Sequence, residues 1–571
     1  MKNFAARAVA VGFAGVMVTA SAITSAQAFN FNYEDIKGAL DIDLNYGLQV
    51  RTSDSDIANR GAYGNRYLYP NRFDVFSNQA RASATLELQY ENYGALVRGN
   101  YFYDLEADSV TADGRLIGEA EDKLVEEFAF TDAFIYGYFG ENQELNIRLG
   151  KQVISWGENT FIQGSLNDVN TVDLTKLRQP GRELKDTFIG TEAAYASYNF
   201  LDNFTLEAFY LFQFNQTQLD PMGSFWTTLD GVAVGGGQDG SGNGVLGDGG
   251  VFIPGPPGPH GFGDCRAFDG AVCDLLGGLL TRVSDREARN SGQYGAALRV
   301  FLPELFQGTE LGFYFQNLHD HGPVVSTYKG TGFYFLDYVE DIKRYGMSFN
   351  TNIGGVAVGG EYSFRKDVPM QMSAPIAAGL GGGPLVAAAG GLAALPVGTY
   401  VPGYQLVDRH QVQVTMQKIW GVVHELGADN ASSLVEVAYG RIDDLPAVTA
   451  LGFGFTNIFE PGITEDFSQI QMLHSLTYES AVFNLIEASP FIAYSLGIHG
   501  NSQELGGGKV FVDDAQALTV GVNFAYQGGR YNGGVSWTNF FGSTAAVNNA
   551  GGRLNGRTDR DYLQFSLGMS F

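Results

Sequence analysis

Seven histidines, His260, His319, His321, His410, His424, His474 and His499, are the side chains best suited to move a proton near neutral pH, and they lie scattered along the chain. None stands beside a Gly-x-Ser-x-Gly turn, so the sequence pairs no nucleophile with a base. His319, Asp320 and His321 form the one local cluster, and it is expected on a loop surface rather than around a metal ion. No stretch spaces oxygen ligands as a calcium site requires. The chain therefore reads as a non-enzyme with no metal and no cofactor. Its only two cysteines, Cys265 and Cys273, sit in a Gly- and Pro-rich stretch at a spacing that suits a small loop-closing disulfide.

A different chemistry is concentrated between residues 148 and 185. Arg148, Lys151, Trp156, Glu158, Asp168, Asp173, Lys176, Arg178, Arg182 and Lys185 crowd both signs of charge and an indole into one short segment. Such density needs water or partners and cannot face hydrocarbon, so the segment is expected to cover an outer mouth or to fold inward as a constriction. In one reading Lys176, Arg178, Arg182 and Lys185 oppose Glu158, Asp168 and Asp173 across a pore and filter solutes. In the other, these charges pair with one another and with wall residues such as Arg98 and Arg148, fixing the loop. The two readings are compatible.

Residues placed this way need a wall, and the alternation along the chain supplies one. Leu40, Ile42, Leu44, Tyr46, Leu48 and Val50 alternate with Asp41, Asp43, Asn45, Gly47, Gln49 and Arg51, giving one apolar and one polar strand face. The pattern recurs in about 18 segments, with 16 as the alternative count. Connections alternate between short ones, such as 92–93, 200–201 and 480–482, and long ones, such as 53–79, 154–186 and 366–407. The expected fold is all-β: a transmembrane up-and-down antiparallel β-barrel with long extracellular loops and one loop folded toward the lumen. A barrel of that size leaves an interior wider than side chains fill.

Both chain ends agree with this wall. Lys2 and Arg7, the apolar residues 8–18 and Ala26-Gln27-Ala28 have the order of a signal peptide, so residues 1–28 are expected to be removed and 29–571 to form one barrel domain. At the other end Leu563, Phe565, Leu567, Met569 and Phe571 occupy every other position. This resembles the terminal strand read by the bacterial barrel-assembly machinery, and it points to the outer membrane of a Gram-negative cell.

Composition removes the rival classes. With 62 acidic against 35 basic residues and a net charge of −27, nucleic acid is excluded as a partner. A hydrophobic fraction of 45% and a mean hydropathy of −0.06 are too low for a bundle of membrane helices. The 42 Phe and 29 Tyr exclude a disordered acidic chain and suit aromatic girdles. Residues 374–398 carry no charge and are expected to enter the lumen or lie on the outer leaflet.

The run Arg148-Leu149-Gly150-Lys151-Gln152-Val153-Ile154-Ser155-Trp156-Gly157-Glu158, with Phe161-Ile162-Gln163-Gly164 and Lys176-Leu177-Arg178-Gln179-Pro180-Gly181 after it, is similar to the domain-of-unknown-function 1302 family of secreted proteobacterial proteins. The resemblance extends from the signal peptide to Phe571, and the long Gly-rich insertions depart from it. It implies an outer-membrane barrel, often found with a periplasmic lipoprotein-like partner family and RND-type exporters of lipidic molecules. It supplies no catalytic residues. The expected function is a conduit for hydrophobic or amphipathic small molecules, partly occluded by residues 154–186. A general porin-like channel for hydrophilic solutes and a structural or adhesive barrel are the alternatives. Outer-membrane lipid, lipopolysaccharide and the assembly machinery are the remaining expected partners.

Overall fold

The computed structural model describes residues 29–571 except 57–67, 113–117, 159–160, 182–186, 228–231, 236–280, 330–332, 372–395, 446–462, 484, 503–510 and 544–554. The signal peptide, the Cys265 and Cys273 pair and nearly all of the uncharged stretch 374–398 lie outside the described residues.

Alternating segments become strands because each presents one apolar and one polar face. Nine of them are β1 (Ile36–Arg51), β2 (Val75–Tyr90), β3 (Tyr93–Asp104), β4 (Glu126–Phe139), β5 (Leu145–Gln152), β6 (Thr191–Leu201), β7 (Phe204–Leu211), β8 (Gln293–Leu302) and β9 (Thr309–Leu318). The rest are β10 (Ile342–Ile353), β11 (Val356–Gln371), β12 (Tyr404–Ile419), β13 (Asn430–Asp443), β14 (Asp466–Val482), β15 (Ile486–His499), β16 (Gln516–Tyr526), β17 (Tyr531–Phe541) and β18 (Tyr562–Ser570). Each pairs antiparallel with its neighbours in sequence, and β1 closes the barrel on β18 from Asp43↔Ser570 to Arg51↔Tyr562. The count of 18 expected from the sequence is the observed one. An extra strand, Phe29–Tyr33, pairs with the start of β1, where β18 does not reach, and so covers an edge that would otherwise stay open. Its Phe31 ring lies on Gly38, where a Cβ would stand only 2.1 Å away.

The two faces are inverted relative to a water-soluble protein. Leu567 and Ile135 are each 60% exposed and Met347 51%, whereas the inward Gln316, Glu361, Gln413 and Glu436 are buried. Closure pairs the backbone without a free edge, which is what hydrocarbon around the wall demands. In the terminal strand, Leu563, Phe565, Leu567 and Met569 fall on the outward face, and Phe571 completes the seam by bonding both ways with the backbone of Ile42.

Long loops build a layer over one mouth. Asp104 caps the helix Leu105–Ala112, accepting from the N–H groups of Glu106 (3.0 Å) and Ala107 (3.1 Å) while Ser77 donates to its other oxygen at 2.8 Å. Val324–Tyr328, Phe333–Asp337, Thr281–Arg282 and Tyr400–Val401 form a small separate sheet in this layer. The expectation of surface histidines is corrected there. His319 is buried, and the His321 ring stacks on Phe214, donates from Nδ1 to the Asn215 carbonyl at 2.8 Å and keeps Nε2 sealed without a partner. A sealed ring nitrogen resists charge, and burial pushes the His321 pKa down from 6.5 to about 4. The unfolded chain then binds the extra proton, so the contribution is complete above pH 6.5 and is lost as pH falls toward 4, about 3 kcal/mol in all. Limited proteolysis of the loop layer should accelerate across that interval, and His321→Gln should flatten the dependence.

Candidate functional site

At Gln152 the chain leaves β5 and turns inward. Asn170 braces the departure, accepting the Ile154 N–H at 2.8 Å and donating to the Ile154 carbonyl at 2.5 Å. Trp156 is buried on Phe209 and Tyr314, with ring centroids 4.8 and 5.7 Å away, and donates from its indole N–H to Glu207 at 2.5 Å. Gly295 leaves the space this ring needs, because a Cβ there would stand 2.9 Å from it.

Irregular backbone inside a lumen must find hydrogen-bond partners, and wall carboxylates provide them. Glu361 accepts the N–H groups of Glu158 (2.6 Å) and Leu166 (3.3 Å), and Glu436 accepts those of Phe161 (3.1 Å) and Ile162 (2.6 Å). In return Gln316 and Gln411 donate to the carbonyls of Leu166 and Gln163, both at 3.0 Å. Asp168 meets Arg344 at 3.1 Å and Arg365 at 3.3 Å. Those two arginines and Arg409 stand in register on β10, β11 and β12.

The loop then crosses to the opposite wall. Asp173 caps the short helix Leu174–Leu177 and binds Lys123 at 2.6 Å, while Lys176 binds Glu127 at 2.5 Å. Arg178 pairs with Asp220, and its carbonyl accepts from Gln49 at 2.9 Å. Pro180 sits where Gly47 has no side chain, and Arg81 donates to the Gly181 carbonyl at 2.6 Å. The described parts of residues 153–190 thus touch β7–β13 on one side and β1, β2 and β4 on the other.

Two cavities adjoin the crossing. One of about 220 Å³ is polar, lined by Asp43, Asn45, Arg81, Ser83, Asn100 and Asn532. Nearer the loop ends of the same strands, a second of about 40 Å³ is lined by Gln49, Gln79, Tyr69, Phe76, Phe225 and Trp226. Arg51 lies over the Phe225 ring at 5.1 Å and Arg178 over the Trp226 ring at 5.2 Å.

The structure brings Trp156, Glu158, Asp168, Asp173, Lys176 and Arg178 into this crossing, and the last four are in ion pairs. Glu158 accepts from Asn350 at 2.8 Å. Arg98 and Arg148 face the lumen but make their contacts with the wall: Arg98 approaches Asp132 at 3.8 Å, and Arg148 lies over the Tyr195 ring at 4.2 Å. Lys151 is a correction. Strand alternation puts it on the face of Ile147 and Leu149, opposite Glu192 of β6, and so outside the lumen group. Arg182 and Lys185 lie outside the described residues. The docking residues Glu207, Glu361, Glu436, Arg344 and Arg365 do not stand out in the sequence. A carboxylate at an inward position in mid-strand, as Glu436 between Val435 and Val437, is the one signal that marks them. Asp168→Asn should raise the anion-to-cation permeability ratio, read from reversal potentials, by roughly twofold, because two arginines lose their shared counter-charge.

A family model described as "Protein of unknown function (DUF1302)" matches residues 5–571. No curated protein matches. Among solved structures the chain is similar to Pseudomonas aeruginosa OpdK crystallised with vanillate, at 9% identity over 94% of this chain and 98% of that one, with a TM-score of 0.42. It is also similar to Acinetobacter baumannii OccAB4 (10% identity, 94% and 97% covered, TM-score 0.42) and OccAB1 (10%, 96% and 98%, TM-score 0.40).

Proposed function

From the premise that the chain belongs to the DUF1302 family, and from the loop that crosses its lumen, we propose that it is an outer-membrane conduit for small amphipathic molecules, partly occluded by residues 154–186. The observation that carries this reading is the pair of cavities beside the docked loop, one with the rings of Tyr69, Phe76, Phe225 and Trp226 set among polar groups in its wall and the next lined by amide, hydroxyl and charged groups. A solute with an apolar end and a hydrogen-bonding end finds a partner at each level. A wide aqueous pore for sugars is disfavoured, because the loop is bound to both walls.

The reading is tested in lipid vesicles and planar bilayers. Uptake of an amphipathic aromatic acid should outpace that of a disaccharide, with low ionic conductance. Large steady conductance with equal sugar flux would sink the proposal in favour of a general diffusion channel. Trp226→Ala should slow flux of the aromatic solute roughly fivefold while leaving ionic conductance unchanged, since stacking on the ring is worth about 1 kcal/mol.

A further inference from the structure

Lys343 and Lys366 stand directly opposite each other on β10 and β11. Lys343 shares its strand face with Tyr345 and Met347, which are 45% and 51% exposed on the outer wall, and both lysines are exposed. Like charges directly opposite destabilise a sheet. Among the described residues neither lysine is in an ion pair. Three carboxylates of the same rim are engaged elsewhere: Asp341 with Arg289 at 2.6 Å, Asp443 with His410 at 2.9 Å, and Asp408 with the Asp367 N–H at 3.1 Å.

The depth of the pair is marked by rings. Tyr294, Phe315, Tyr345, Phe364 and His410 form a continuous row across five neighbouring strands, with successive centroids 6.1, 5.3, 6.3 and 4.7 Å apart. Such a row lies at the boundary between hydrocarbon and headgroups. The lysines are one outward position nearer the long loops, roughly 7 Å along the strand. Their stems can rest on the rings while the ammonium groups reach the headgroup layer.

We propose that Lys343 and Lys366 together bind one phosphate group of an outer-leaflet glycolipid. A phosphate monoester carries nearly two charges, which matches two ammonium groups and relieves their repulsion. The occupant comes from the outer leaflet because the pair lies on the side of the long loops.

Binding of a fluorescent bis-phosphorylated glycolipid to the full barrel in detergent tests this, with heat-modifiable gel mobility confirming the fold of each variant. Lys343→Gln with Lys366→Gln should weaken binding roughly 30-fold, and the dephosphorylated glycolipid should bind wild type and variant equally weakly. Lys418→Gln, near the opposite rim, should bind like wild type. The proposal is overturned if the double variant keeps wild-type affinity, if wild type does not distinguish the two glycolipids, or if Lys418→Gln loses as much.

Discussion

Replacing Glu361 and Glu436 together with alanine is expected to open the pore, raising single-channel conductance in planar bilayers roughly three- to fivefold as the constriction empties. These two carboxylates accept four loop N–H groups, from Glu158, Phe161, Ile162 and Leu166. A hydrogen bond to a charged group contributes about 1.5–3 kcal/mol, so the docked loop loses about 6–12 kcal/mol. That exceeds the roughly 5.5 kcal/mol needed to carry a two-state element from almost always docked to almost always free. The wall itself should survive, because the inter-strand ladders of β11 and β13 are backbone bonds that the substitutions do not touch. Glutamine at both positions keeps an acceptor and should give an intermediate conductance. If the alanine variant folds and conducts like wild type, residues 154–186 are not the constriction.

A second large effect separates the faces of one strand. Val520 of β16 is 39% exposed on the outer wall, and its neighbour Thr519 faces the lumen, sharing a hydroxyl bond of 2.9 Å with Thr538 of β17. Val520→Arg places a guanidinium in hydrocarbon, at a cost of about 2–4 kcal/mol near the bilayer midplane. Thr519→Arg places the same group among polar neighbours and should cost about 1 kcal/mol, that of the lost hydroxyl bond. Urea titrations in lipid vesicles should therefore show a midpoint lowered roughly two- to fourfold more by Val520→Arg than by Thr519→Arg. Conductance and ion selectivity should change for Thr519→Arg alone. Equal destabilisation by both would mean that the outer wall is not in contact with lipid.

These contrasts also show what is readable along the chain. Alternation is a local property: each side chain points away from the one before it, so β1 and the terminal strand disclose their two faces without reference to anything distant. Loop length is local too, which is why the turn side and the loop side separate. The charged run from Arg148 to Lys185 declared itself unfit for lipid by its own density. Where it docks is not local. Glu361 lies 203 positions from the N–H it accepts at Glu158, and Glu436 lies 275 positions from Phe161. No periodicity spans such a separation. Lys151 shows the limit at close range, since one position along a strand decides between lumen and outer wall. His321 shows it for burial, because two loops distant in sequence must meet to seal its ring.

By itself the sequence determined the barrel, its strand count to within two, its alternation of short turns and long loops, and the identity of the segment that must leave the wall, because all four follow from local spacing along the chain. Tertiary structure alone decided which carboxylates hold that segment, which arginines answer Asp168, and where rings and amides line the space beside it. Closing a sheet of this size sets side chains from opposite walls against one loop, and that meeting is a property of three-dimensional distance.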